Sequence, residues 1–410
     1  MNLLGLLWLV YFTANLGRLS YTASMIAIID VNVLSAASAG LVGTGFFICY
    51  GLGQLISGYI GGRLNPHRLI FIGLFCTALA NFVMGFAQTS GFMLLTWCIN
   101  GLIQSILWPP VLRIIVESLE EPAWNKASSN ISTSYPMAVM FAYLSCAGII
   151  TILSWRAVFF IYSAIIFGVT GIWAFTFWKT IRFEPRHGKL LEGVPDNKFI
   201  EKKKYPKLHF FGGEAAPGFA IVLFSLALIF MGILRDGLTT WIPDYITRAF
   251  SFPASRAILF AGLIPPLNLC GIYLCRALFA RIKNEGKTCI YLFGAAFFAI
   301  LFLRFAGVYH IYLTLFAFAV IMICMTGVAM LLITFASIHF TRFGLVSFMA
   351  GFTNSMVYVG SSISTFGIAL VVEKAGWNTL LTLLSILAAA SVLFCVLAAP
   401  RWAAFTKESS

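Results

Sequence analysis

The chain alternates between long apolar stretches and short polar breaks. A helix that crosses a bilayer needs about 20 mostly apolar residues, and windows of that length along the chain predict twelve spans. They are residues 3–29, 37–61, 69–88, 91–115, 128–152, 157–178, 218–243, 255–279, 288–306, 311–335, 344–371 and 377–398. The apolar runs are longer than the strands of a β-barrel, and they lack the two-residue alternation of such strands. The pattern predicts an all-α polytopic membrane protein.

One polar gap is much longer than the others and divides the spans into six and six. We interpret the chain as an N-terminal six-helix bundle (1–178), a cytoplasmic linker loop (179–217), a C-terminal six-helix bundle (218–398) and a cytoplasmic tail (399–410). The first apolar run has no basic residue before it, which favours a span over a cleaved signal peptide. The sequence therefore predicts two six-helix repeats.

Composition and charge agree with a membrane protein. The chain is 60% hydrophobic and only 10% charged, against roughly 25% charged residues in soluble domains. This excludes a soluble enzyme, a disordered chain and a nucleic-acid binder, despite a net charge of +13. An even number of spans places both termini on the same side of the membrane. Nineteen of the 27 basic residues fall on that side and five on the other. Basic residues concentrate in the cytoplasm, so both termini are expected there.

Chemistry that needs a metal, a cofactor or ATP has no signature in the sequence. The nine cysteines all lie in apolar spans without a CxxC spacing, and the five histidines lie at loops or span ends. Neither arrangement suggests a metal centre. Walker and GxGxxG sequences do not occur. We expect no metal, no cofactor, no enzymatic activity and no ATP-driven transport.

Three basic residues remain, and two of them lie well inside predicted spans, Arg18 in the first and Arg235 in the seventh. The third, Arg113, lies towards the cytoplasmic end of the fourth span, where it can snorkel. An arginine at bilayer depth costs several kcal/mol in most estimates and marks a candidate functional site. In a chain of two repeats, the first helices of the halves are expected to face a central site near the midplane. Two guanidinium groups there would form a receptor for a phosphate or carboxylate dianion. The alternative is a structural pair with a carboxylate elsewhere.

Asp236 adjoins Arg235 but would point about 100° away from it on a regular helix. It is expected either to neutralise an arginine on a neighbouring span or to be a proton-coupling carboxylate, and the sequence does not separate these roles. Further polar residues lie at the depth of a cavity and are candidates for substrate binding. They are Asn15, Tyr21, Gln104, Tyr135 and Asn354.

Two double prolines lie within predicted spans. Trp108-Pro109-Pro110 in the fourth span and Ile264-Pro265-Pro266 in the eighth are expected to break or kink their helices. A break frees backbone groups beside a cavity, so Trp108 is a candidate for substrate contact as well as a marker of the kink.

Four segments give the chain a resemblance to the major facilitator superfamily and, within it, to the organophosphate:phosphate antiporter family. The fourth span is the most specific, since its NG-x-x-Q-x-x-x-WPP pattern is similar to that of the family. The resemblance covers nearly the whole chain. It is carried by Gly17–Ser20 with Gly51–Gly58, by Asn100–Pro110, by Leu234–Gly237 with Trp241–Tyr245, and by Ala350–Thr353 with Tyr358, Gly360 and Gly376-Trp377.

The resemblance implies a major facilitator fold and a rocker-switch antiporter that exchanges phosphate for a phosphorylated metabolite. It implies that Arg18 and Arg235 bind the anion. Gln54 stands where many family members have a lysine, and Met137 or Tyr135 near where they have a histidine. These departures predict a less cationic cavity, with Gln54 as a candidate binding residue.

Three functions stay open at this point: the antiporter, a proton-coupled symporter for an organic carboxylate with Asp236 as its protonation site, and a transporter-like sensor that binds a ligand without moving it. The expected partners are a small anion of the phosphate or organophosphate class and the lipid bilayer, with no nucleic acid. We expect a monomer in the bacterial inner membrane.

Overall fold

The computed structural model of the chain describes residues 3–60, 64–119, 127, 130–131, 133–182, 216–340, 343 and 345–407. Secondary structure in these residues is helical. Most of the predicted linker loop, residues 183–215, lies outside them, as do Arg63, Lys126 and Arg342, which contribute to the expected charge bias.

The first half of the chain forms seven described helices. They are α1 (Leu3–Asp30), α2 (Ala36–Ile60), α3 (Pro66–Met84), α4 (Ser90–Ser105), α5 (Trp108–Ser118), α6 (Ser134–Ile152) and α7 (Trp155–Arg182). α4 and α5 together occupy the fourth predicted span. The helix stops at Ser105 and restarts at Trp108, immediately before the two prolines, because proline cannot donate the backbone hydrogen bond that a helix interior requires. The expected break is confirmed.

The second half is more often interrupted by other helical turns. It contains α8 (Gly218–Gly232), a π-helical turn (Ile233–Gly237), α9 (Leu238–Phe250), α10 (Ala254–Ala261), a 3-10 turn (Pro265–Leu267), α11 (Asn268–Ile282), α12 (Glu285–Ala306), a 3-10 turn (Gly307–Tyr309), α13 (Ile311–Ala329), a second π-helical turn (Met330–Phe335), α14 (Ala336–Ile338) and α15 (Val346–Lys407). The 3-10 turn at the second double proline confirms that break as well.

Ten helical stretches of the described chain are long and apolar enough to cross a membrane. Two features separate this number from the twelve spans of the sequence analysis. The fourth span is divided into two short helices, and the last two form one run, α15, that is interrupted at Gly376. Gly376 has a φ of +76°, which favours glycine over any L-residue. The count of twelve, in two repeats, stays a prediction.

Large apolar side chains cover the outside of the helices. Phe175, for example, is 89% exposed and Phe298 is 69% exposed. An exposed apolar surface of this extent indicates a non-aqueous environment. Together with the ten apolar helices, it makes the chain a multi-pass membrane protein.

The chain divides into two compact units. The first contains Met1–Ala27 and Ile48–Lys204. Its buried core is made by one face of α1 with α3, α5 and α7. Polar contacts between α3 and α7 add to it, since the Ser163 hydroxyl donates to the carbonyl of Ala78 over 2.8 Å and the Trp173 indole donates to that of His67 over 3.0 Å.

The second unit contains Ile28–Phe47 and Tyr205–Ser410. The first turns of α2 thus pack with the second half of the chain. The Thr44 hydroxyl donates to the carbonyl of Ser362 over 2.7 Å. A Cβ added at Gly40 would meet the backbone of Thr365 and Phe366, so α2 and α15 touch backbone to backbone here. The predicted domain bounds, 1–178 and 218–398, stay a prediction.

The part of α15 that follows Gly376 is fixed near both of its ends by a tryptophan that donates to a buried carboxylate. The Trp377 indole donates to Asp244 Oδ2 over 3.0 Å, and Arg248 Nε donates to the same carboxylate, 3.0 Å from Oδ1. At the other end, the Trp402 indole donates to Glu285 Oε2 over 2.8 Å. We call these contacts the two indole clasps.

Candidate functional site

Arg18 leaves α1 on a different side from the residues that pack this helix against α3. The Ser20 hydroxyl donates to Asn81 Oδ1 over 2.6 Å, and Asn81 Nδ2 donates to the carbonyl of Gly17 over 3.0 Å. Successive residues of an α-helix lie about 100° apart. Arg18, between these two positions, therefore projects elsewhere, and its guanidinium carbon lies 4.9 Å from the ring centroid of Tyr50 on α2.

Tyr50 connects Arg18 to one of the predicted binding residues. Gln54 Nε2 donates to the Tyr50 hydroxyl over 3.2 Å. A cation over a tyrosine face is attracted by the negative face of the ring. Arg18, Tyr50 and Gln54 therefore form one group, the Arg18 cluster. Tyr50 is absent from the sequence prediction, although its position four residues before Gln54 places it on the same face of the helix.

Arg235 lies in the π-helical turn Ile233–Gly237. Its Nε atom lies 2.7 Å from Asp236 Oδ1, and its Nη2 atom lies 3.1 Å from Asp236 Oδ2. The two parallel bonds form a bidentate pair, the strong geometry for a guanidinium and a carboxylate. The structure corrects the expectation that Asp236 points away from Arg235. That expectation assumed a regular α-helix, whereas the chain forms a π-helical turn here and the long arginine side chain reaches its neighbour.

Ser361 on α15 holds the carboxylate from the other side. Its hydroxyl donates to Asp236 Oδ2 over 2.6 Å. The contact requires close helices, and glycines provide this: a Cβ at Gly232 would collide with the carbonyl of Val357, and one at Gly360 with that of Ile229. We call Arg235, Asp236 and Ser361 the Arg235 cluster. Ser361 is absent from the sequence prediction, although it follows Gly360, one of the residues that carry the family resemblance.

Both members of the ion pair remain accessible. The Arg235 side chain is 26% exposed and the Asp236 side chain 12% exposed, although they lie in the apolar stretch Gly218–Phe250. Charged groups inside a membrane span normally line a water-filled path or a binding site. Arg235 therefore has two side-on donors that a carboxylate of the protein itself occupies.

Three other predicted residues contact side chains or backbone of the first unit. Asn15 Nδ2 donates to the carbonyl of Tyr11 over 2.7 Å, and the Tyr11 ring centroid lies 4.6 Å from that of Trp108. Gln104 Nε2 donates to Asn100 Oδ1 over 3.4 Å. Asn15 and Trp108 thus share the neighbour Tyr11.

The last three differ in accessibility. Tyr21 is 1% exposed, and its ring lies 5.5 Å from that of Trp97, so it packs within the first unit. Tyr135 is 37% exposed on α6. Asn354 is half-buried on α15. Since it precedes Ser361 by seven residues, or about two turns, it lies on the same face of that helix.

A metal centre is not formed by the residues that the structure describes, where no three histidine, cysteine, aspartate or glutamate side chains come together. The chemistry available in both clusters is the binding of an anion by arginine.

The chain is a polytopic helical membrane protein with one arginine in α1 and another in the π-helical turn after α8. The chain belongs to the Major Facilitator Superfamily, whose sequence profile matches residues 7–365. The superfamily predicted from the sequence motifs is confirmed.

Relatives carry the resemblance to the organophosphate:phosphate antiporter family. A probable hexose phosphate transport protein of Chlamydia pneumoniae is 23% identical over 97% of this chain and 89% of its own length. The glycerol-3-phosphate transporter of Bacillus subtilis is 30% identical over 58% of this chain and 56% of its own length. The membrane sensor protein UhpC of Escherichia coli is 30% identical over 27% of this chain and 25% of its own length. The matched part of this chain therefore spans about half or less of the last two proteins. It spans 32% of a probable hexose phosphate transport protein of Chlamydia trachomatis.

The fold is shared with solved transporters. A bacterial homologue of the human lysosomal transporter Spinster, in an inward-facing and occupied conformation, superimposes with a TM-score of 0.72 at 16% identity, over 98% of this chain and 96% of that one. At this identity the likeness concerns the fold. The relatives are transport proteins and a membrane sensor protein, and the superfamily to which the chain belongs is one of transporters and not of enzymes.

Proposed function

We propose that this chain is an antiporter that exchanges a phosphorylated metabolite for phosphate by alternating access, with Arg18 and Arg235 binding the anion. The observation that carries the proposal is the bidentate contact at Arg235. A guanidinium inside an apolar stretch already holds two carboxylate oxygens, at 2.7 and 3.1 Å. Phosphate oxygens accept the same fork of donors.

The other parts of the proposal follow from the sequence and the relatives. The twelve spans, the two repeats, the cytoplasmic termini, the bacterial inner membrane and the monomeric state belong to it. The hexose phosphate and glycerol-3-phosphate relatives support a phosphorylated substrate. Gln54, where many family members have a lysine, supports a substrate that needs less positive charge than theirs.

Exchange in proteoliposomes tests the proposal. Vesicles loaded with inorganic phosphate are expected to take up external labelled phosphate. Arg18→Ala and Arg235→Ala are each expected to lower this uptake at least about 30-fold. Each removes the cation that would pair with the bound substrate anion, and truncating one partner of such a buried charge pair costs about 2–5 kcal/mol, where 1.4 kcal/mol corresponds to ten-fold. A counterflow screen over sugar phosphates, glycerol phosphates, phosphonates and dicarboxylates then identifies the metabolite.

Arg304 provides the matched control. It lies in the last turn of α12, with its guanidinium carbon 5.3 Å from the Phe305 ring centroid. Arg304→Ala removes the same charge and is expected to leave exchange unchanged. Uptake that survives Arg18→Ala or Arg235→Ala would contradict the assigned roles of the two arginines.

A sensor is the second candidate function, since the E. coli relative is a membrane sensor protein. Binding of phosphate or a sugar phosphate without any flux would favour it. Uptake driven by a proton gradient in vesicles without internal phosphate would favour the carboxylate symporter with Asp236 as its protonation site.

A further inference from the structure

The side of the Arg235 guanidinium formed by Nε and Nη2 binds a carboxylate of the protein itself, that of Asp236. Nε and Nη2 are the two donors that a phosphate or carboxylate substrate would use side-on. Asp236 occupies both of them. The two residues are neighbours in one π-helical turn, so both members of the pair come from a single helical stretch.

The local structure holds the pair in place. The hydroxyls of Thr239 and Thr240 donate to the carbonyls of Arg235 and Asp236, over 2.7 and 2.8 Å. These bonds satisfy carbonyls at the wider turn, where the regular helical pattern is interrupted. Gly237 lets the turn approach α15, since a Cβ there would lie 2.6 Å from Ser364 Cβ. The turn is thus seated against α15 rather than frayed.

Ser361 gives Asp236 a partner other than Arg235. The Ser361 hydroxyl donates to Asp236 Oδ2 over 2.6 Å, and the carbonyl of Val357, at 2.9 Å, is the alternative acceptor for its single hydrogen. A carboxylate that lost Arg235 would retain this hydrogen bond. The cost of breaking the pair is lower for that reason, because the displaced group is not left without a donor.

We propose that Asp236 is an internal stand-in for the transported anion: it occupies the guanidinium of Arg235 when substrate is absent, and the substrate displaces it onto Ser361. The inference rests on the proposed function and adds how the positive charge of Arg235 is neutralised when no substrate is bound. An incoming anion exchanges one bidentate pair for another, so its net affinity is moderate. If the pair is open about one-tenth of the time, the apparent dissociation constant rises about ten-fold.

The stand-in has a consequence for the empty transporter. A guanidinium without a counter-ion is costly in a low-dielectric interior, and this cost opposes movement of the empty site between the two sides. With Asp236 in place, the Arg235 charge stays paired without substrate. The transporter can then return empty, so that net efflux accompanies exchange.

Asp236→Asn tests the inference. The amide has the same shape but no charge, so it competes weakly for Arg235. Titration of the purified protein with inorganic phosphate is expected to show about ten-fold tighter binding than in the wild type. In phosphate-loaded vesicles, the ratio of exchange to net efflux is expected to rise by about the same factor, because the empty site has lost its counter-ion.

Asp244→Asn is the matched control. Asp244 is a buried carboxylate paired with an arginine of the same helix, Arg248, over 2.9 Å. The substitution removes the same charge close by in the chain, and it is expected to change neither phosphate affinity nor the flux ratio. A purely structural role of Asp236 would weaken binding in Asp236→Asn, so a gain in affinity separates the two explanations.

Ser361→Ala provides a second measurement if Asp236→Asn fails to fold. It removes the donor that receives the displaced carboxylate, and phosphate is expected to bind several-fold more weakly. Ser362→Ala, which removes a bond to the carbonyl of Tyr358 on the same helix, is expected to have no effect. Equal effects of the two serine variants would overturn the inference.

The outcomes distinguish this inference from the proposed function. Unchanged or weaker phosphate binding in Asp236→Asn, with a wild type that binds and exchanges phosphate, would overturn the stand-in alone. A wild type that binds neither phosphate nor any sugar phosphate, glycerol phosphate or dicarboxylate would overturn the proposed function and the stand-in together.

Discussion

The Arg18 cluster and the Arg235 cluster hold the same side chain by different chemistry. Arg18 lies over the face of Tyr50, on a regular α-helix. Arg235 makes a bidentate pair with Asp236, on a π-helical turn. An aromatic face attracts a cation but carries no compensating charge, whereas a carboxylate neutralises it. The same residue type, in two apolar stretches of one chain, is therefore held by an aromatic face in one and by a carboxylate in the other.

The helices behind the two arginines are packed differently as well. Behind Arg18, a Cβ added at Gly17 would meet the ends of side chains, Ile166 Cδ1 and Thr77 Cγ2, both at 2.7 Å. Near Arg235, a Cβ added at Gly360 would meet the backbone of Ile229. The end of the Ile166 side chain can rotate away and backbone cannot, so the helices near Arg235 are the more sensitive to added volume.

The largest expected effect follows from this packing. Gly360→Ala is expected to destabilise the protein by about 1–3 kcal/mol, because the added methyl group forces α8 and α15 apart. Gly17→Ala is expected to cost less than this, because its Cβ would meet side chains rather than backbone, and the gain of about 0.5–1 kcal/mol from replacing glycine in a helix offsets part of their displacement. Thermal unfolding in detergent compares the two variants.

Gly367→Ala is the control on α15, since a Cβ there would have nothing within 4 Å. It is expected to leave the melting temperature unchanged or slightly raised. If Gly17→Ala and Gly360→Ala lowered the melting temperature equally, the contrast in packing would be wrong.

The second prediction concerns the shape of the cation. Arg235→Lys is expected to weaken phosphate binding about ten-fold or more, since an ammonium group cannot reproduce the bidentate fork. Arg18→Lys is expected to weaken it only a few-fold, because a lysine can also lie over an aromatic ring. Isothermal titration with inorganic phosphate measures both variants, and the reverse order would show that the shape of the guanidinium matters more at Arg18.

The smallest expected effect tests the ring of the Arg18 cluster. Tyr50→Leu is expected to weaken phosphate binding about two- to five-fold, equivalent to the roughly 0.5–1 kcal/mol of an accessible cation–π contact. Tyr50→Phe keeps the ring and loses only the hydroxyl that accepts from Gln54, so a smaller change is expected. The same titration serves here, and equal losses in the two variants would assign the effect to the hydroxyl.

Much of the fold was predictable from the sequence, because apolar length and proline position act locally. The breaks at Trp108 and at Pro265 follow from the missing backbone donor of proline. The superfamily followed from motifs in both halves. The interruption at Gly376 falls in the predicted gap between residues 371 and 377, where Glu373 and Lys374 end the apolar run.

The candidate site was predictable in part. The presence of charge in an apolar span identifies Arg18 and Arg235, but their partners depend on geometry that a helical repeat does not contain. The pairing of Arg235 with Asp236 depends on a π-helical turn, which has no simple sequence signature. Tyr50 and Ser361 are ordinary span residues, and only the packing of neighbouring helices brings them to an arginine or to its counter-ion.

The two indole clasps have a consequence for how the protein can be shortened or extended. Trp402 is 1% exposed and lies in the segment expected to be a tail, beyond the last predicted span. Removing the chain from residue 399 onward would take away a donor of the buried Glu285, so a protein cut there would lose part of its interior. Fusion partners and affinity tags should therefore be joined after Lys407, where α15 ends.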